Sequence, residues 1–337
     1  MRNRQIVFAY RPNGEPSADV FKFREADVPS PREGQILCRN VAASVDPYLR
    51  LKMFDRRSYT PPLEIGQLIP GRTIAVVAET KSPTLKVGDH VAIGGSWQEY
   101  AVVDASLAKK VDLNAASAGA WLGPLGMTGM TAYAGLTQIG KPKAGDTLVV
   151  SGAGGAVGNL VGQIGRIMGC RVVGIAGGEQ KCRAVREEFG FDDCVDYRHD
   201  NFPSKLEAAL PRGCDIYFDN VGGVVARTVA RHLNDFARIP LCGLISQYDG
   251  ENPAELTAYD EFTRLILTRR LTVRGFIVSD IASGSAEFEG VMTKWLMNGE
   301  IRQREHVLVG FDALVPAFLG LLKGENLGKT IVKFSHS

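Results

Sequence analysis

The stretch TLVVSGAGGAVGNLVGQIGRIMG, residues 147–169, decides how the rest of the chain is read. A β-branched apolar run, Thr147–Ser151, enters a glycine-rich turn and leaves as a helix with one apolar face. Gly152, Gly155 and Gly158 carry no Cβ, so the chain can turn tightly, come close to a pyrophosphate and let the next helix lie against a sheet. Amides near Ala156, Val157 and Gly158 then face an anion at the positive end of the helix dipole. A glycine triplet alone is equally a strand-to-helix turn without a ligand. Here a second strand, Arg171–Ala176, follows at the spacing of a βαβ unit, and that context favours a nucleotide.

Beyond this unit the alternation continues. Strands are expected at Cys194–Tyr197, Asp215–Asn220, Arg238–Gly243 and Leu271–Phe276, with helices such as Glu179–Phe189, Val224–Leu233 and Ser285–Asn298 between or after them. Such a pattern predicts an α/β Rossmann domain, a doubly wound parallel sheet. Upstream, short β-like runs punctuated by Gly and Pro (Gln5–Tyr10, Gln35–Val45, Arg72–Glu79, Asp89–Ile93, Gln98–Val103) predict a compact β-barrel-type domain. Near the C-terminus, Asp312–Lys323 has helical periodicity and Lys329–Phe334 reads as a strand returning to the first domain. The expected division is therefore 1–125 completed by 312–337, with the Rossmann domain at 126–311.

A net charge of +2 without a long basic stripe argues against nucleic acid or an anionic membrane as the main partner. Cys38, Cys170, Cys182, Cys194, Cys214 and Cys242 include no C-x-x-C pair, so neither a zinc lobe nor a disulfide framework is indicated. No run is long enough to span a bilayer and the N-terminal residues lack a signal-type apolar stretch, which makes a cytoplasmic setting the expectation. The five histidines stand mostly among charged or polar residues and read as solvated.

The second strand of a dinucleotide-binding sheet usually ends in an acid that holds the adenosine 2′-hydroxyl. Here it runs into Gly177-Gly178, with Glu179 and Lys181 next, which leaves room for a 2′-phosphate and a cation to meet it. That favours NADP(H) over NAD(H), unless Glu179 takes the acid's place and Lys181 is merely solvated. Tyr197 and Arg198 can border the same group. The segments Phe218-Asp219-Asn220-Val221-Gly222-Gly223 and Cys242-Gly243 through Ser246-Gln247-Tyr248 place polar residues at the carboxyl edge, where such sheets bind ligands. Asn220 can also be read as an Asx turn, and Cys242 as a small buried apolar residue.

Taken together, VDPYLR (Val45–Arg50), VGDHV (Val87–Val91), WQEYAVV (Trp97–Val103), GMTGMTAYAGL (Gly126–Leu136), SGAGGAVG, AGGEQK, YFDNVGG, CGLISQY and ENLGKTIVKF span nearly the whole chain. With them the sequence resembles the medium-chain dehydrogenase/reductase superfamily, in its zinc-free branch of leukotriene B4 dehydrogenases/prostaglandin reductases and alkenal double-bond reductases. The resemblance implies a GroES-like catalytic domain, a Rossmann domain, NADPH/NADP+ as cofactor, no metal, and a homodimer. By position it implies that Gly155, Ala156, Val157 and Gly158 hold the pyrophosphate and that Lys181 and Tyr197 hold the 2′-phosphate region. It also implies that Asn220, Cys242, Gly243, Ser246, Tyr248, Phe276 and Asn326 line the ribose and nicotinamide. Ser44-Val45-Asp46-Pro47 stands where zinc alcohol dehydrogenases carry their first cysteine ligand. Much of this branch has a tyrosine before the R-x-x-G-F strand, but this chain has Thr268. The proton donor is thus open between Tyr48, the nicotinamide ribose hydroxyl and water, Tyr48 being otherwise a packing residue.

The function this implies is NADPH-dependent reduction of the carbon–carbon double bond of an enal or enone. Hydride goes to the β-carbon and hydrogen bonds stabilise the enolate. A zinc-free quinone reductase and a non-catalytic NADPH-binding protein are the alternatives. Loops Phe54–Pro62 and Glu251–Asp260 are expected to set the pocket's size.

Overall fold

A computed structural model describes residues 2–56, 58–248, 258–281 and 285–335 and divides the chain into two compact units, Met1–Gly123 with Glu305–Ser337, and Pro124–Arg304. In the first unit, β1 (Arg2–Phe8) pairs antiparallel with β2 (Phe21–Asp27). A seven-stranded sheet is built around β3 (Gln35–Ser44), which contacts β4 (Thr73–Thr80), β6 (Tyr100–Asp104) and the C-terminal β15 (Lys329–Lys333). Beyond them lie β5 (His90–Ile93), β7 (Lys109–Lys110) and β14 (Glu305–Val309).

The core of this unit is aromatic. Trp97, fully buried, stacks on Phe21 with ring centroids 5.8 Å apart and meets Phe318 edge-on at 6.1 Å. Phe318 belongs to the helix Leu314–Leu322, so the C-terminal return is part of the core rather than an appendage.

That return begins at Glu305, earlier than residue 312. Glu305–Val309 lies parallel to β15, with Glu305 opposite Lys329. Its half-exposed EHVLV pattern carries little period-2 signal. Strand β2 carries no clear sequence signal either, because in FKFREAD only Phe21 turns fully into the core and the charges hide the alternation.

The second unit is a parallel six-stranded sheet of β8 (Thr147–Ser151), β9 (Arg171–Ala176), β10 (Asp193–Asp196), β11 (Cys214–Phe218), β12 (Leu233–Leu241) and β13 (Thr272–Gly275). Their order is β10-β9-β8-β11-β12-β13. Strand direction of connection reverses between β8 and β11, which places the ligand crevice of such a sheet at the carboxyl ends of those two strands. All five residues of β8 are buried, as a strand covered on both faces requires.

Glycines continue past the turn into the helix Gly158–Ile167 for a packing reason. A Cβ on Gly162 would enter the ring of Phe191, and one on Gly165 would overlap Leu148. The helix therefore lies unusually close to the sheet, which aims its N-terminus at the turn.

Before β8, the helix Met127–Ala134 passes into a π-helical turn, Gly135–Gly140, closed by Lys141 at φ 46° and ψ 60°. The Lys141 amide donates to the Leu136 carbonyl at 2.8 Å, the position where helices favour glycine, and Pro142 restricts this residue further. Replacing Lys141 by Gly is expected to stabilise the unit by about 0.5–1 kcal/mol through relief of left-handed strain. A rise in Tm for Lys141→Gly but not Lys141→Ala is the checking measurement.

Candidate functional site

The turn after β8 is built so that only glycine fits. Gly152 has φ 63°, and its carbonyl accepts the Gly155 amide at 2.9 Å. A Cβ on Gly158 would collide with the backbone of Gly152 and Ala153. Asn159, one residue into the helix, sends its amide and side-chain nitrogen to the Gly155 carbonyl, at 3.1 and 2.5 Å. The first helical amides have no partner within their own ladder, so Ala156–Gly158 form an anion cradle of the kind a pyrophosphate fits.

The sequence reading missed the residue that ties this turn to the neighbouring strand. Asp219 is buried, and its Oδ1 accepts from the Ser151 hydroxyl at 2.9 Å, the Tyr217 hydroxyl at 2.8 Å, and the amides of Val221 and Gly222, both at 2.9 Å. The Asp219 carbonyl accepts the amides of Cys242 at 2.8 Å and Gly243 at 3.1 Å. The Asp219 carboxylate thus joins the ends of β8 and β11, and its backbone carbonyl joins them to the end of β12, across the reversal point. Burial, then the charge of Asp219, holds the Tyr217 phenol well above its ordinary pKa, so it stays a donor. The available signal was an Asp at a strand end before Asn-x-Gly-Gly.

Asn220 serves the same scaffold. Its amide donates to the Ser151 hydroxyl at 2.9 Å and its side chain to the Ser151 carbonyl at 2.8 Å. Ser246 donates to the Val221 carbonyl at 2.6 Å, and Tyr248 closes the turn Ile245–Gln247. Burial pushes the Cys242 thiol up to about 12, which keeps it neutral. Phe276, just past β13, packs edge-on against Phe218 with centroids 6.1 Å apart, and Gly135 leaves space for both rings. Asn220, Cys242, Gly243, Ser246, Tyr248 and Phe276 therefore lie together at the carboxyl edge.

A second group forms at the ends of β9 and β10. Gly178, at φ 95°, starts the helix Glu179–Glu187, and its amide donates to Asp196 Oδ1 at 2.9 Å. The same oxygen accepts the Arg198 amide at 2.9 Å. A Cβ on Gly177 would lie within 2.9 Å of Arg198 Nε and 3.0 Å of the Tyr197 ring, so a larger residue here would push these side chains aside. Lys181, in the first turn of the same helix, has its pKa lowered by burial and then by the positive charge of Arg198. Glu179 is drawn away along its helix to Arg186 at 2.8 Å. Two cations thus stand near enough to feel each other's charge at a strand end that lacks its acid, a combination suited to a dianion.

Tyr48 and Asn326 belong to the first unit. Tyr48 lies in the 3-10 segment Pro47–Met53, and burial, with Asp46 adding to it, pushes its phenol up to about 12. Asn326 is buried and donates to the Gly328 carbonyl at 3.0 Å. Their two segments are joined by a buried ion pair, Lys329 Nζ to Asp46 Oδ1 at 2.6 Å, with the Ser44 hydroxyl on the other carboxylate oxygen.

Thr268 ends the helix Ala258–Thr268, with its hydroxyl on the Arg264 carbonyl at 2.8 Å. It precedes β13, and so sits at the amino edge of the parallel sheet, opposite the edge described above. Of the expected pocket loops, residues 57 and 251–257 lie outside the described residues, as does His336. Among the described residues, no cluster of three or more His, Cys, Asp and Glu side chains is placed to hold a metal ion, and no helix is long and apolar enough to cross a membrane.

A Rossmann sheet with this glycine turn, next in sequence to a barrel-type sheet that the C-terminal strands complete, defines an oxidoreductase of the medium-chain type. Residues 4–111 match the family described as the N-terminal domain of oxidoreductase, and residues 156–297 the family described as zinc-binding dehydrogenase. The chain is 43% identical to the NADPH-dependent curcumin reductase of Escherichia coli (strain K12), over 98% of this chain and 97% of that one. It is 35% identical to prostaglandin reductase 1 of Bos taurus over 95% of each chain. The crystal structure of CurA in complex with NADPH from Vibrio vulnificus superposes with a TM-score of 0.94 at 42% identity, covering 99% of this chain and 100% of that one. The chain belongs to the zinc-free branch of the medium-chain dehydrogenase/reductase family, with the curcumin and prostaglandin reductases.

Proposed function

We propose that the protein is an NADPH-dependent reductase of the carbon–carbon double bond of α,β-unsaturated aldehydes and ketones. The observation that carries the cofactor choice is Gly177-Gly178 at the end of β9 with Arg198 against Gly177, Lys181 close enough for Arg198 to lower its pKa, and Glu179 paired with Arg186. The reaction class is supported by the relatives named curcumin reductase and prostaglandin reductase 1.

In this reading Gly152 and Gly155–Gly158 hold the pyrophosphate, and Lys181, Tyr197 and Arg198 hold the 2′-phosphate. Asn220, Cys242, Gly243, Ser246, Tyr248 and Phe276 surround the ribose and nicotinamide. When bound, NADPH supplies the hydride for the β-carbon. The chain's own task is to orient the alkene and stabilise the charge that grows on the carbonyl oxygen. Tyr48 is the proposed donor to that oxygen: its raised pKa keeps the phenol protonated across the neutral range.

The test is steady-state turnover of an alkenal, an enone such as curcumin, and a simple quinone, each with NADPH and NADH. Preferential NADPH-linked reduction of the first two is expected; activity confined to the quinone would refute the enone reading. Tyr48→Phe is expected to lower kcat on the enone about 100-fold, the effect of removing one oxyanion donor. Unchanged turnover would take Tyr48 out of the mechanism.

A further inference from the structure

A cavity of about 240 Å³ lies in the second unit, between the strands β11, β12 and β13 and the helices Gly223–Ala230 and Ala258–Thr268. Ile239, Leu241 and Val273 line it from the sheet, and Phe262 and Leu265 from the second helix. The first helix presents Gly223, Ala226 and Ala230, spaced three and four apart and therefore on one face. Their short side chains leave the space unfilled.

One carboxylate stands in this apolar lining. Asp219 is 3% exposed and borders the cavity. The four hydrogen bonds that its carboxylate accepts among the described residues all go to Oδ1. Oδ2 accepts none of them and stays open to solvent. The half-buried Arg227, which has a partner of its own, lies on the same lining, and Gln247 stands beside Gly222 there.

We propose that this cavity binds a single-ring phenol, whose hydroxyl donates to Asp219 Oδ2. The site is separate from the nucleotide edge described above: none of Gly152–Gly158, Lys181, Asn220, Cys242 and Phe276 lines it. It does not rest on the choice of cofactor.

Size sets the first limit on the ligand. A dry apolar cavity of about 150 Å³ takes benzene, so this one admits one ring with a short substituent. It is smaller than the roughly 300–1,000 Å³ that cofactors and drug-sized molecules occupy. Charge sets the second limit. The Asp219 carboxylate repels an anion, and Arg227 on the same lining repels an ammonium. A wholly apolar ring would strip water from Oδ2 and leave that oxygen without a donor. A phenol meets both limits, since its ring buries against Ile239, Leu241 and Leu265 and its hydroxyl replaces the lost water on a charged acceptor.

The experiment titrates 4-ethylphenol into the full chain, with and without NADP+, and follows the Ile, Leu and Val methyl resonances by NMR. Saturable shifts at Ile239, Leu241, Leu265 and Val273 are expected in both states. Ethylbenzene, which lacks the donor, and 4-ethylbenzoate, which carries a negative charge, should each bind about tenfold more weakly or worse, as loss of a hydrogen bond to a charged acceptor predicts. Ala226→Leu, which fills the cavity from the first helix, should abolish the shifts and leave enone turnover unchanged. The wild-type titrations decide the matter even if that variant does not fold. No saturable shift at these four residues, ethylbenzene binding as tightly as the phenol, or a folded Ala226→Leu protein with unaltered shifts would overturn the proposal. Failure of NADP+ to bind would count against the cofactor reading instead, because the cofactor-free titration stands without it.

Discussion

Lys329→Met is expected to destabilise the first unit by about 3–5 kcal/mol, because it leaves the Asp46 carboxylate buried without its cation. Lys329 and Asp46 are 2.6 Å apart, with side chains only 4% and 7% exposed. The Lys329 ammonium also donates to the Val45 carbonyl at 3.3 Å, and the Ser44 hydroxyl bonds the far oxygen of Asp46. Neither water nor salt can compensate at that depth. Calorimetry should show a lower Tm for the variant. Adding Asp46→Asn to Lys329→Met should recover much of the loss, because the uncompensated charge is then gone. If Lys329→Met unfolds with the wild-type midpoint, the pair is not structural. The pair fastens the 3-10 segment that carries Tyr48 to the strand that follows Asn326, so the stable single variants should also lose turnover.

The double substitution Lys181→Ala with Arg198→Ala is expected to raise KM for NADPH about 100-fold while leaving the kinetics with NADH unchanged, as removal of two charge-assisted contacts to one phosphate predicts. The pKa of Lys181 adds an independent check on this site. Its folded value lies below that of the unfolded chain, through burial first and Arg198 second. In the window between the two values the unfolded state binds more protons, so stability rises with pH there. Below that window the full cost of a charged Lys181 is present. The cofactor-free Lys181→Met protein should therefore have a higher Tm than wild type at neutral pH, although it binds NADPH more weakly. A merely structural lysine would give the opposite sign in Tm. Stability given up at a binding site in this way is a common trade-off.

The sheet of the second unit was legible because its signal is local. Residues 147–151 and 171–176 begin and end where the β-branched runs do, and the glycines between them are required by backbone geometry within a few residues. The missing acid was legible for the same reason: Gly177-Gly178 directly follow the end of the second strand. Strand β14 was not, since EHVLV becomes a strand through its pairing with β15 and not through any period of its own. Asn220 was read correctly as an edge residue, but both of its polar side-chain and amide donors are committed to Ser151, 69 positions earlier in the chain.

By itself the sequence determined the kind of fold, the place of the glycine turn and the absence of an acid after the second strand. Each of these follows from residue type and spacing over a few positions, where sterics and hydrogen bonding act at short range. Only the tertiary structure decided what joins the site together. Asp219 collects donors from the end of β8 and from its own loop, and Lys329 meets Asp46 across 283 positions. Their roles depend on burial and on partners brought close by folding, and a charge acquires its strength from that low-dielectric surrounding rather than from its neighbours in the chain.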